Sequence, residues 1–218
     1  MADIWDKGNP QSIHATVAKL EKTLKLPDGF CERLRDEDDW SFVIKLHALI
    51  EAAVTHLLVI KLGHETLMPI FARLGLGQAQ TGKLAFAHRL ELLDSRERGF
   101  VRWLSEVRNQ VVHDVRNVAF DLAEHVKRLD ANQKKKFLKV VIDPPDGASP
   151  LDDKAFGAIA QLAKPMVWRT GLFVVAVIQL QAENARLKTE GERIEFERLK
   201  EISSMLGLGL LSGAVKKE

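Results

Sequence analysis

The 218-residue chain has one cysteine, Cys31, and no tyrosine. A single thiol excludes an internal disulfide and a zinc site built on clustered cysteines, and it suits a reducing compartment. Excess charge of one sign is missing too: the net charge is +2, with 28% charged and 46% hydrophobic residues. Bulk electrostatics therefore does not drive nucleic-acid binding, although a local basic groove stays open. The opening Met-Ala-Asp-Ile-Trp-Asp lacks the basic start and apolar run of a signal peptide. The longest strongly apolar stretch, Gly171 to Leu180, is about half of what a bilayer span needs. Strand signals are scarce as well, with few alternating runs and no Asn-Gly or Asp-Gly turn set between two of them. These absences lead to a soluble, cytoplasmic, all-α protein with no membrane segment.

Helix signals run along the whole chain. Ser12 caps a first helix that carries Ile13, Val17, Leu20 and Leu24 on one side and stops at Pro27-Asp28-Gly29. The acidic run Asp36 to Asp39 suits a helix start, where negative charge meets the positive end of the dipole. Trp40 to Leu62 then forms the most apolar long helix, ended by Gly63, and apolar residues on nearly all its faces mark it as central and buried. Its polar exceptions His47, Glu51 and Thr55 are spaced four apart, so they form one strip that must face water, another polar strip or a site.

A shorter helix follows from Glu65 to Leu74, then a glycine turn, then a helix through Leu93 with Leu84, His88 and Leu92 inside. Ser95 with Arg98 three residues on offers no capping box to the next helix. Further helices are expected from Asn117 to Leu129, Asn132 to Val141, Asp152 to Lys164, and from Pro165 to Lys188. The charged piece from Glu192 to Leu206, beyond Gly191, is an arm or an exposed helix, and residues 207–218 are a tail. Residues 143–151 form the clearest loop. No repeat or low-complexity tract occurs.

The stretch from Phe100 to Asp114 carries the most unusual polar residues. Phe100, Trp103, Leu104, Val107 and Val111 recur every three or four positions, as on a helix that packs one side into a core. At about 100° per residue, Asn109 and His113 share a face nearly opposite that stripe, and Arg108 lies between the two faces near Val101 and Val112. A cation, an amide and an imidazole thus stand beside valines expected to be exposed.

From roughly Asp38 to Asp130 the chain resembles the HEPN superfamily of all-α domains. The resemblance rests on Arg108-Asn109-Gln110-Val111-Val112-His113, an arginine and a histidine with four residues between them and a polar residue after the arginine. It also rests on the apolar helix Leu46-His-Ala-Leu-Ile-Glu-Ala-Ala-Val54 about sixty residues upstream, and on Leu90-Glu-Leu-Leu93 between them. Similar groupings occur in mannitol-repressor-like and abortive-infection-like proteins. The resemblance implies an up-and-down four-helix bundle over residues 38–142, here with an N-terminal helical extension (1–37) and C-terminal helices (152–206) packed on it. It also implies a homodimer in which two copies of the motif meet across a cleft.

Active members are metal-independent endoribonucleases without a cofactor, in defence or toxin–antitoxin settings. Applied to these residues, the resemblance makes Arg108, Asn109 and His113 catalytic. His113 would move protons when a ribose 2′-OH attacks the adjacent phosphodiester. Arg108 and Asn109 would stabilise the charged transition state. Arg116 would contact phosphate, and His47 and Glu51 would orient the arginine or histidine from behind.

Other assignments account for the same residues. Arg108 suits an ion pair with Glu51 or an acid near Glu106, His113 suits a helix C-terminus, and Asn109 a solvated surface. His47 and Glu51 suit a buried structural pair, and the lysines from Lys134 to Lys139 a solvated face. His14, His56, His64, His88 and His125 show no metal-ligand spacing. The fold also serves as a non-catalytic regulatory or interaction module, for which the charged arm supplies surface to a protein partner such as an antitoxin or regulator. On a regular helix Arg108 and His113 are about 140° apart. Either the helix breaks near Val112, or a second copy completes the site.

Overall fold

The computed structural model describes residues 12–78, 80–113, 119–145 and 151–205, with side chains through Ile202. The chain is all-α, with no strand among the described residues. Helix α1 (Ile13–Thr23) begins at Ser12, whose hydroxyl accepts from the Ala15 N–H at 3.2 Å. Glu21, at the end of α1, reaches across the following turn to accept from the backbone N–H of Gly29 and Cys31. It thereby anchors the short α2 (Phe30–Arg33). Burial and the Glu21 carboxylate push the Cys31 thiol far above its ordinary range, so this thiol is a packing residue.

Helix α3 (Asp39–Leu62) is capped by Asp38 and ended by Gly63 at φ 70°. It is the centre of the molecule, with Phe42, Leu46, Ile50, Ala53, Val54, Leu57 and Leu58 fully excluded from water. Asp39 accepts from the Leu122 N–H at 2.8 Å and pairs with Lys164 at 3.1 Å, so the expected acidic helix start also ties two distant elements together. Beyond it come α4 (Met68–Arg73), with Pro69 in its first turn, α5 (Lys83–Arg89) and α6 (Ser95–Val112). Then follow α7 (Leu122–Lys127), α8 (Ala131–Val141), α9 (Asp153–Gln161) and α10 (Ala163–Met205).

Helix α10 makes its most extensive contact along α3, and α1 lies on α10. At the α3–α10 crossing a Cβ on Gly171 would come within 2.9 Å of the Leu46 side chain, so that position has room for hydrogen alone. Helix α6 packs on α3 from one side and on α8 from another. Trp103, Phe137 and Phe156 form an aromatic row joining α6, α8 and α9, at 5.3 and 6.5 Å between ring centroids. The buried residues form one cluster from Ile13 to Ala182, which includes α1 and the first half of α10.

Several sequence expectations change. Asp94, one residue before Ser95, is the N-cap of α6 and forms a full capping box with Glu97. Helix α5 is shorter than expected and buries Lys83, Leu84 and Ala87, while His88 is exposed. Val101 is buried and Val112 is exposed. Gly191 does not interrupt α10, and Pro165 stands third in that helix, where the N–H has no intrahelical acceptor to lose. One glycine costs a helix about 1 kcal/mol, too little to stop one that is anchored on α3 and flanked by strong helix formers. Helices Asp39–Leu62 and Ala163–Ile202 are long and apolar enough by length and composition to cross a membrane, more so than the run Gly171 to Leu180 suggested. Their most apolar windows are 61% and 50% buried within the fold.

Candidate functional site

The polar strip of α3 faces a second polar strip. His47 is buried, and its Nε2 lies 3.1 Å from the Ser105 hydroxyl on α6. That hydroxyl donates to the Val101 carbonyl at 2.8 Å, the shorter of its two contacts, so Ser105 accepts from His47 Nε2–H. The other ring nitrogen, Nδ1, then stands 3.9 Å from Glu51, beyond hydrogen-bond reach. Ser105, His47 and Glu51 follow one another as a nucleophile, base and carboxylate would, but the serine proton is committed to its own helix. Thr55, the last of the strip, donates to the Glu51 carbonyl.

Lys83 completes this layer. It is 1% exposed, and its ammonium donates to Glu51 Oε1 at 2.8 Å. Its position is set by the preceding turn. The N–H groups of Lys83 and Leu84 donate to the carbonyls of Gly75 and Leu76, so backbone rather than a side chain caps α5. A Cβ on Gly82 would fall 2.6 Å from the Gln78 backbone, so glycine is required there for the turn to close and direct Lys83 inward.

Arg108 stands one turn beyond Ser105 on the same strip of α6. It is half-buried, and its Nη1 donates to the Asn109 side-chain oxygen at 3.2 Å. Among the described residues no carboxylate lies within ion-pair distance of Arg108. Glu51 is taken by Lys83 at 2.8 Å, so the expected Arg108–Glu51 pair does not form, and Glu106 itself pairs with Lys136 at 2.8 Å. The imidazole of His47 is held below its ordinary pKa, first by burial, with Arg108 and Lys83 acting in the same direction and Glu51 opposing. Arg108, Lys83 and one carboxylate leave this layer with surplus positive charge.

His113 is elsewhere. Helix α6 ends at Val112, but His113 keeps near-helical torsions (φ −75°, ψ −13°) and donates its N–H to the Asn109 carbonyl at 3.3 Å. It therefore holds its helical position, exposed and turned well away from Arg108. The helix break that would let one chain bring the two together does not come in time. A cleft of about 420 Å³ lies on the Gln110 side of α6, lined also by Phe120, Asp121, Glu124, His125 and Arg128, and Arg108 is not part of it.

The structure thus joins Arg108 to Asn109 and His47 to Ser105, sets Glu51 3.9 Å from His47, and leaves His113 apart. Arg116 lies outside the described residues. The lysine run is engaged in part: Lys134 pairs with Asp153 at 3.1 Å and lies over the Phe156 ring, and Lys136 pairs with Glu106. No cluster of three or more potential metal ligands occurs among the described residues.

Sequence reasoning missed Ser105 and Lys83. The helical wheel places Ser105 on one strip with Val101 and Arg108, which is a usable signal. For Lys83 the one signal is indirect, in that a carboxylate on a central apolar helix calls for a cation from somewhere. Comparison with protein-family models, with curated proteins and with solved structures finds no match.

Proposed function

We propose that this chain is a HEPN-like, metal-independent endoribonuclease built as an up-and-down bundle, with a site completed between two copies. The observation that carries this reading is the half-buried Arg108 guanidinium, bound by the neutral amide of Asn109 and compensated by no carboxylate among the described residues. A structural arginine at such a site normally has an acid partner. This one is kept available for an external anion, at a helix end whose own dipole is unfavourable to anions. That disadvantage is met by the charge of Arg108 itself, since Lys83 and Glu51 compensate each other. The most apolar windows of α3 and α10 are 61% and 50% buried within the fold, which favours core helices over membrane spans.

In the proposed reaction Arg108 and Asn109 of one copy hold the phosphodiester, and His113 of a second copy takes the proton from the ribose 2′-OH. The 2′-oxygen forms a bond to phosphorus, the P–O5′ bond breaks, and the leaving oxygen takes a proton from water. The products are a 2′,3′-cyclic phosphate and a 5′-hydroxyl. His47, Glu51, Lys83 and Ser105 hold the α6 face that presents Arg108.

The test is cleavage of RNA in the presence of chelator by the native protein, Arg108→Ala and His113→Ala. The native protein is expected to release cyclic-phosphate ends and each variant to lose the activity. Mixing the two variants should restore about a quarter, because half the dimers are mixed and each keeps one intact site. Equal activity in all three proteins, or none in the native one, rejects the reading. A second reading, a non-catalytic interaction module, is favoured by the exposed half of α10, where every residue from Arg186 to Ile202 is solvent-facing.

A further inference from the structure

From Arg186 onward α10 leaves the body of the protein and continues as helix to Met205, about 30 Å at 1.5 Å per residue. A surface helix of this length normally buries an apolar stripe, and this one exposes its stripe. Leu187, Ile194 and Ile202 are 66%, 55% and 46% exposed. With Gly191 and Arg198 they fall within about 80° of the helix circumference. Leu199 and Phe196, 53% and 41% exposed, lie outside this arc. Glutamates border the stripe on both edges, Glu190 and Glu201 on one and Glu195 on the other. None of these three has a cation within ion-pair distance among the described residues, whereas Glu192 and Glu197 pair with Lys188 and Lys200.

We propose that the stripe is covered by the same stripe of a second copy, antiparallel, with the two-fold axis passing at Ile194. Arg198 decides the orientation. It lies within the stripe one turn after Ile194, and Glu190 lies one turn before it. In a parallel, in-register pair Arg198 meets Arg198, two like charges on an apolar seam. In an antiparallel pair about Ile194, Arg198 of each copy stands opposite Glu190 of the other, and symmetry supplies the contact twice. Leu187 of each copy then lies against the Ile202 end of its neighbour. Gly191, with no side chain, lets the backbones approach beside the central isoleucines. An anionic lipid surface or a nucleic acid is disfavoured by the glutamates along both edges. This contact is separate from the α6 face and holds whether or not the protein cleaves RNA.

The experiment is sedimentation equilibrium of the full chain. The native protein is expected to self-associate with rising concentration, and the arm contact is the share of that association lost when Leu187 and Ile194 are both changed to serine. Glu190→Arg and Arg198→Glu should each weaken it by about ten-fold or more, and the double swap should recover most of that loss. All these residues lie on the exposed arm, so circular dichroism should show an intact fold. Oxidising Ile194→Cys should link two copies through that position, and Leu187→Cys should not link to itself. A protein that stays monomeric overturns the inference, as does a dimer indifferent to Leu187→Ser/Ile194→Ser, a double swap without recovery, or self-linkage through Leu187→Cys. Failure of RNA cleavage with this dimer intact rejects the ribonuclease reading alone.

Discussion

Replacing Glu51 by glutamine leaves the Lys83 ammonium without an anion, and replacing Lys83 by methionine leaves the Glu51 carboxylate without a cation. The two changes break one 2.8 Å ion pair, yet they should differ in cost because the partners differ in exposure. The Lys83 side chain is 1% exposed and that of Glu51 is 33% exposed. After Lys83→Met the carboxylate can hydrate, and the methionine fills the volume of the lysine stem. The loss should stay within about 1 kcal/mol, in line with apolar replacement of buried charges. After Glu51→Gln a buried cation keeps a neutral amide oxygen as its acceptor. A stranded buried charge costs about 3–5 kcal/mol, and the retained hydrogen bond lowers this to about 2–4 kcal/mol.

For a chain of this size each kcal/mol moves the melting temperature by about 2–4 °C. Thermal melts followed by circular dichroism should therefore show Glu51→Gln lower by roughly 5–15 °C and Lys83→Met by no more than about 4 °C. The double variant should recover most of the Glu51→Gln loss, since it removes the stranded charge. A Lys83→Met variant that melts as low as Glu51→Gln, or a double variant that melts lower still, refutes the view that solvent access to Glu51 sets the asymmetry.

Two further outcomes follow from the same layer and from the start of α6. His47 is held neutral below the ordinary histidine value, so between its lowered folded pKa and about 6.5 the unfolded chain binds more protons. Its contribution is complete above about pH 6.5 and is lost as pH falls through the folded value, and burial pushes His56 and His125 the same way. His47→Gln should therefore flatten, without abolishing, the fall in melting temperature from about pH 7.5 to 5.5, and an unchanged slope counts against a buried neutral His47. Asp94→Ala removes the capping box of α6 and should cost about 1 kcal/mol, while Ser95→Ala stays within about 0.5 kcal/mol. Urea denaturation of both checks this, and the reverse order would place the cap at Ser95.

The sequence by itself determined the all-α class and several helix ends, because these depend on hydrogen bonds within three or four residues. Ser12 to Ala15, Asp38 to Ser41 and the turn at Gly63 are of this kind. It also determined that α3 is central, since a helix apolar on nearly every face has nowhere else to go. Arg108, Asn109 and His113 were legible as a pattern and a spacing, together with the requirement that the His47–Glu51 strip find a polar counterpart. Tertiary structure alone decided what that counterpart is. Lys83 is 32 residues from Glu51, and a lone lysine in a helix pattern reads as solvated until the Gly75–Gly82 turn closes and docks α5 on α3. Tertiary structure also decided that Arg108 has no carboxylate beside it among the described residues, because Glu51 is claimed by Lys83 from α5. It carried α10 unbroken past Gly191, where the local glycine penalty is smaller than the anchorage supplied by α3 and α1. The near-helical torsions of His113 keep it on its own face of α6, since the helix ends too late to turn it toward Arg108.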